Sequence, residues 1–142
     1  MLTKYSLGNV KFEAPDSWTV SDTDGTIEIV QEQASGAMHL SFLKRSLTDP
    51  PNDADARLLV ENFASNNGLV PDGVVATSVC TFEARAIGRF HPHTPTAETP
   101  LHWLLASVVW QDRAIRVSYC TDVLSEESSK LAMGIIDSIV RE

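Results

Sequence analysis

Four side chains between residues 91 and 102 have the chemistry to hold a metal ion. They are His91, His93, Glu98 and His102. Imidazole nitrogens and carboxylate oxygens are common zinc ligands, and two histidines separated by a single residue can reach the same ion. One hypothesis is therefore a small metal- or ligand-binding protein that uses this region. The simpler interpretation is a surface loop with solvated histidines, and on that interpretation we predict no metal and no cofactor.

The segment around these histidines is also a candidate recognition surface. Residues 89–100 read RFHPHTPTAETP and join two predicted strands, and their three prolines predict a stiff, exposed loop. Stiff loops on a rigid scaffold often carry binding residues. The turn from Trp110 to Arg113 is the other connection whose residues folding alone explains least. Trp110 itself is most simply a core residue. The predicted binding residues, none of them catalytic, are Arg89, His91, His93, Trp110 and Arg113.

The sequence contains no recognisable catalytic constellation. It has no Gly-x-Ser-x-Gly motif and no glycine-rich phosphate loop. Cys80 and Cys120 lie in apolar, strand-like runs without a Cys-x-x-Cys pattern, so we expect two buried thiols. The paired carboxylates at 53 and 55 and at 126 and 127 are explained by helix capping. We therefore expect a protein that is not an enzyme.

Four arginines offer one further possibility. Arg85, Arg89, Arg113 and Arg116 lie on predicted strands that could be neighbours in the sheet. If they project from one face, they could clamp an anion or a carboxylate. The alternative is a solvated face with surface ion pairs to nearby carboxylates, each of little energetic value.

The composition limits the classes of partner. The chain has 142 residues, of which 43% are apolar and 21% charged, and this predicts one globular domain over residues 1–142. Its net charge of −8 with scattered cations argues against nucleic acid. It has neither an apolar run typical of a signal peptide nor one long enough for a membrane span. We expect a cytoplasmic protein without membrane insertion, whose acidic surface suits a basic or apolar protein partner.

The elements that position these residues begin with a meander of strands. Val10, Phe12 and Ala14 alternate with polar residues, and Pro15 ends that strand. A run from Trp18 to Ser21, a turn at 23–25, a strand from Thr26 to Gln33 and a turn at Ser35 and Gly36 follow. Met38, Leu40 and Phe42 then line one face of another strand.

A helix, further strands and a second helix complete the predicted order. The first helix runs from Asp53 to Asn67, capped by Asn52 or Asp53 and stopped by Gly68. Val74 to Arg89 is predicted as one strand with Cys80 and Phe82 on the same face as Ala84. Leu101 to Trp110 is apolar on both sides, which is typical of a strand covered on both faces. Ser125 caps the last helix, whose buried stripe is Leu131, Ile135, Ile136, Ile139 and Val140. This order predicts an α+β fold with a mostly antiparallel sheet flanked by two helices.

A few residues carry a resemblance to a known superfamily. They are the strand-like opening from Tyr5 to Trp18, with Phe12 and Pro15, and the Leu40-Ser41-Phe42-x-Lys44-Arg45 run before the first helix. In these residues and in its element order the chain resembles the PsbP-like α/β/α sandwich superfamily, which includes Mog, DcrB and Eag-type chaperone proteins. The resemblance implies protein binding without catalysis. PsbP and DcrB proteins are exported, whereas this sequence shows no export signal.

The leading functional hypothesis is therefore a non-catalytic protein-binding module. A secretion chaperone, an adaptor and an immunity-type protein all fit it, and the sequence does not choose among them. A sheet edge or a helix face could also form a symmetric homodimer.

Overall fold

A computed structural model describes residues 1–31, 36–45, 49–123 and 125–141. The elements are β1 (Leu2–Leu7), β2 (Val10–Pro15), β3 (Trp18–Thr23), β4 (Thr26–Gln31), β5 (Ala37–Lys44), α1 (Asp53–Asn66), β6 (Leu69–Pro71), β7 (Ala76–Cys80), β8 (Glu83–Pro92), β9 (His102–Val109), β10 (Arg113–Thr121), α2 (Glu126–Ser138) and β11 (Val140–Arg141). The predicted order of strands, helix, strands and helix is confirmed. Within the described residues, no helix is both long and apolar enough to cross a lipid bilayer.

Eight strands form the main sheet, and all of its pairings are antiparallel. The order is β3-β4-β5-β10-β9-β8-β6, and β7 pairs with β8 beside β6. A smaller sheet has the order β1-β2-β11. The α+β class and the mostly antiparallel sheet are therefore as predicted.

The main sheet has a hydrophobic core on each face. On one face, α2 and the small sheet cover residues such as Leu40, Val108 and Val117. On the other face, α1 covers Leu105 and Val109. Burial from residue 104 to residue 109 confirms that the strand predicted from Leu101 to Trp110 is covered on both faces. The alternating strand at Val10 and the apolar side of β5 are confirmed in the same way.

Local turn and cap chemistry fixes the ends of several elements. Asp24 and Gly25 both have positive φ, 51° and 81°, as the two-residue hairpin between β3 and β4 requires. Asn52 caps α1 with a full capping box: its side chain accepts from the Asp55 amide, and its own amide donates to the Asp55 carboxylate. Ser125 caps α2 as predicted. Three of the sequence's turn and cap assignments are thus confirmed.

The predicted strand from Val74 to Arg89 is wrong. The structure divides it into β7 and β8, joined by a tight turn at residues 81 and 82. The turn breaks the alternation that would have placed Phe82 beside Ala84, so Phe82 is 69% exposed while Ala84 is buried. Cys80, at the end of β7, is exposed for the same reason, and the prediction that it is a buried thiol is also wrong.

Two other boundaries differ from the prediction. Helix α2 ends at Ser138, and Val140 leaves its stripe to pair with β2 in β11, where it is 46% exposed. Strand β8 continues through His91 to Pro92, so the connection to β9 is residues 93–101. The predicted extension of β4 to Gln33 and the predicted turn at Ser35 lie outside the described residues.

A side chain at Gly36 would force its neighbours to shift. A Cβ atom at this position would sit 2.6 Å from the Tyr119 hydroxyl and 2.7 Å from Gln31 Oε1. The same two groups hydrogen-bond each other, because Tyr119 Oη donates to Gln31 Oε1 at 3.2 Å. Burial raises the pKa of Tyr119 above its ordinary value of 10.0.

Candidate functional site

The connection 93–101 is exposed along most of its length and held at both ends. The His93 amide donates to the Gly68 carbonyl at 2.8 Å, and Trp103 Nε1 donates to the Pro100 carbonyl at 2.9 Å. Between them, the hydroxyls of Thr96 and Thr99 lie 2.6 Å apart. The exposure predicted for residues 89–100 is therefore found from residue 93 onward, and the two anchors tie the connection to the end of α1 and to β9.

The candidate metal ligands do not form a metal site. His91 lies in β8 and contacts the Asp72 carboxylate through Nδ1, while His93 and Glu98 lie on the exposed connection and His102 begins β9. In the part of the chain that the structure describes, no three His, Cys, Asp or Glu side chains are grouped so that they could hold a metal ion. The geometry therefore gives no support to the metal-binding hypothesis.

Trp110 is not a surface residue. It is 4% exposed and packs in the core between the main sheet and α2, and its Nε1 donates to Glu83 Oε1 at 3.1 Å. The simpler interpretation of this residue is correct, and its side chain is unavailable to a partner. The turn that follows it is tight, as predicted, because the Trp110 amide donates to the Arg113 carbonyl at 2.8 Å.

The four arginines do not form one clamp. Arg85 and Arg89 project toward α2, where they bond the Ile136 carbonyl at 3.2 Å and Ser129 Oγ at 2.9 Å. Arg116 projects to the opposite face, and its guanidinium carbon lies 4.8 Å from the centre of the Phe63 ring. Each of these three therefore has a structural role in holding a helix to the sheet.

Arg113, the fourth arginine, lies in a groove at the end of the main sheet. This groove has a volume of about 500 Å³ and is called the turn groove below. Its lining is Gly8, Gly25, residues 42–45, Asp112 and Arg113. Its size lies in the usual range for ligand pockets of roughly 300–1,000 Å³. Of the predicted binding residues, the structure places only Arg113 in its lining.

The β1–β2 hairpin closes one side of the turn groove. Gly8 and Asn9 have φ of 61° and 65°, which a two-residue turn of this kind requires. A Cβ atom on Gly8 would sit 2.8 Å from the tip of the Phe42 ring, so a glycine is needed for this approach. The Phe42 ring is partly buried and gives the groove an apolar floor.

The charges around the turn groove leave a cationic excess. Asp112 accepts from Arg141 at 2.6 and 2.8 Å, and the bond from Arg141 lowers the pKa of Asp112 below its ordinary value of 3.8. Arg113 Nε lies 3.8 Å from the same carboxylate. Because Arg141 already offsets Asp112, the charges of Arg113 and exposed Lys44 remain to attract an anion.

Arg45 fixes the back of the turn groove. Its guanidinium bonds the Trp110 carbonyl, and its Nη2 lies 3.1 Å from Asp55 Oδ2, in the capping box of α1. The Arg45 side chain is only 11% exposed. One side chain thus ties the end of β5, the β9–β10 turn and the start of α1 together. The Lys44-Arg45 pair was predicted only as the end of a strand, and Gly8 and Asn9 lie within the opening from Tyr5 to Trp18 that was predicted as strand, which their turn interrupts.

A second cavity, of about 580 Å³, lies between α1 and the segment 69–75. Its charged lining side chains, Arg57 and Glu61, lie 4.0 Å apart and offset each other. It therefore lacks the net charge that the turn groove presents to a ligand.

Cys80 is exposed, whereas Cys120 is partly buried. Both are free, and burial, followed by the charge of Asp122, raises the pKa of Cys120 above its ordinary value of 9.0. A raised pKa reduces the thiolate fraction on which nucleophilic attack depends. Cys120 is therefore poorly suited to covalent catalysis.

Comparison with known proteins identifies the fold. No protein-family model matches the chain, and no curated protein matches it. Among solved structures, the solution structure of cyanobacterial PsbP (CyanoP) from Synechocystis sp. PCC 6803 matches with a TM-score of 0.65. The match covers 99% of this chain and 92% of that chain at 13% sequence identity. The chain therefore has the PsbP-like fold, as the resemblance implied.

Proposed function

We propose that this chain is a non-catalytic protein-binding module and that the turn groove is its binding surface. The observation that carries the proposal is a groove with an apolar floor at Phe42 and cations at Lys44 and Arg113. Pockets that are largely apolar, with a few placed polar groups, are the usual form of binding sites. The PsbP-like fold supports the non-catalytic part, since the superfamily resemblance implies protein binding.

The occupant that fits this chemistry is an extended protein segment with an apolar side chain next to a carboxylate. The apolar side chain would pack on Phe42, and the carboxylate would pair with Arg113 or Lys44. This differs from the basic partner that the net charge of −8 suggests. The difference arises because local charge at a groove, rather than the charge of the whole surface, decides which group docks there.

The finer role stays a proposal within this class. A secretion chaperone, an adaptor or an immunity-type protein would each use the groove to take a protein segment. Membership of the group that holds the Mog, DcrB and Eag-type chaperone proteins is part of the same proposal. A cytoplasmic location is proposed with it, and the two free thiols, one of them exposed, support a reducing compartment.

The test is a peptide array with matched charge variants. Immobilised peptides carry a central Phe or Leu flanked either by Glu or by Lys, and they are probed with the purified chain. We expect binding to the Glu-flanked set, and loss of that binding in Lys44→Glu and in Arg113→Glu.

Two control variants change the charge equally at other places. Lys130→Glu lies on the exposed side of α2, and Arg57→Glu lies on α1. Both should bind the Glu-flanked peptides like the wild type. Equal loss of binding in all four variants would mean that net charge alone drives the binding, and the proposed site would then be wrong.

A further inference from the structure

Strand β7 ends the main sheet without the protection that sheet edges usually carry. Within the described residues its hydrogen-bonded neighbour is β8, so its other side is an open edge. Four of its five residues are exposed. Proteins normally guard such edges with charged residues, proline or a bulge, because an unpaired strand is a template for another strand.

The sequence around this edge is unusual for this chain. Residues 74–82 read VVATSVCTF, nine positions without a charge or a proline, although 21% of the chain is charged. The carboxylates that bound this stretch are already paired within the chain: Asp72 contacts His91, and Glu83 lies 2.8 Å from Arg85. The edge is therefore uncharged in a protein whose net charge is −8.

Two exposed apolar side chains flank β7, one before the strand and one in the turn that follows it. Val74 is 92% exposed and Phe82 is 69% exposed, and each is four residues from Ser78. If two β7 strands pair antiparallel with Ser78 opposite Ser78, Ala76 of each copy lies opposite Cys80 of the other, and the segment before one strand lies at the same end as the turn after the other. Thr77 then faces Val79. The edge is thus complementary to itself, as a two-fold interface requires.

From this self-complementarity we propose that β7 is a homodimer interface, through which two copies join their main sheets edge to edge about a two-fold axis at Ser78. The backbone of β7 supplies the hydrogen bonds, and contacts between Val74 and Phe82 close the two ends. The interface lies at the opposite end of the strand order from β3 and does not involve the turn groove.

The charge of the whole chain gives the proposal a diagnostic salt dependence. Each copy carries −8, so two copies repel each other, while the paired edges themselves are uncharged. Added salt screens the repulsion, since the Debye length falls from about 30 Å at 0.01 M to about 8 Å at 0.15 M. Dimerisation should therefore strengthen with salt, which is the reverse of an interface held by ion pairs.

The experiment is sedimentation equilibrium of the reduced, full chain at increasing protein and salt concentration. We expect reversible dimers whose dissociation constant falls as salt rises. Ser78→Lys places two like charges opposite each other at the axis and should raise the dissociation constant at least about tenfold. Ser21→Lys makes the same change on β3, the other edge of the main sheet, and should have no effect.

A cross-linking variant fixes the register independently of affinity. In a Cys80→Ser background, Ser78→Cys places two thiols opposite each other, and oxidised glutathione should convert the chain to a disulfide-linked dimer through residue 78. Ser21→Cys in the same background should stay monomeric. A wild-type chain that is monomeric up to about 1 mM at high salt, or dimers that persist unchanged in Ser78→Lys, would overturn the proposal.

Discussion

The Arg45–Asp55 contact should couple the start of α1 to the wall of the turn groove. The Arg45 and Asp55 side chains are 11% and 26% exposed and 3.1 Å apart. Hydrogen bonds to charged groups are worth roughly 1.5–3 kcal/mol in net terms. Partial exposure reduces this value, so we expect a coupling free energy of about 1–2 kcal/mol between the two side chains.

The perturbation is a double-mutant cycle of Arg45→Met, Asp55→Asn and the two together. Methionine keeps the length and apolar surface of the arginine stem. Asparagine keeps an oxygen that can accept from the Asn52 amide, so the capping box loses its charge but retains an acceptor. Each free energy of unfolding is measured by urea denaturation, and the coupling is the departure of the double variant from the sum of the single ones.

The control is the Arg57–Glu61 pair on the same helix. These side chains are 44% and 49% exposed and 4.0 Å apart, so their coupling should be below about 0.5 kcal/mol. If Arg45–Asp55 couples no more strongly than this exposed pair, the argument from burial and geometry is refuted. The turn groove would then lack the fixed back wall described above.

Three other predictions concern packing, pH and thiol reactivity. Gly36→Ala should lower the free energy of unfolding by about 1–3 kcal/mol, because the added Cβ meets a tyrosine hydroxyl at 2.6 Å. Gly134→Ala is the control: the position has open space and a helical backbone, so the free energy of unfolding should rise by about 0.5–1 kcal/mol. Both values are measured by urea denaturation. Because folding lowers the pKa of Asp112, its carboxylate contributes to the free energy of unfolding above pH 3.8, and this contribution is lost as the pH falls through the folded pKa. The difference in stability between the wild type and Asp112→Asn should therefore vanish in acid. A difference that persists there would contradict the assigned ion pair. A thiol-reactive dye should label exposed Cys80 faster than Cys120, whose pKa burial raises, and equal rates would contradict the described burial.

Periodicity predicted the elements whose faces are clearly divided. The strand at Val10, the doubly covered β9 and the capped start of α1 all follow from local pattern and cap chemistry. The hairpin of β7 and β8 was missed because Cys80, Phe82 and Ala84 continue the alternation across a turn that contains no glycine, proline, asparagine or aspartate. Short β11 was missed because two residues carry no periodic signal.

The candidate site could be predicted only in part, since its residues come from distant parts of the chain. Arg113 was identified from the turn it ends, but Phe42 reaches the same groove through the pairing of β5 with β10, and Gly8 reaches it because the β1–β2 hairpin packs against the Phe42 ring. Trp110 shows the opposite error: a residue beside a turn was proposed for binding, whereas the tertiary core buries it. Long-range packing, which no local pattern encodes, decided both outcomes.

The most direct test of the central claim is an NMR titration of the ¹⁵N-labelled chain with a Glu-flanked Phe peptide. If the turn groove is the binding surface, saturable shifts should concentrate at Gly8, residues 42–45 and Arg113, and they should disappear in Arg113→Glu. Residues 93–101 should stay unchanged. Shifts that concentrate on residues 93–101 instead, or a peptide that produces none, would contradict the proposed binding surface.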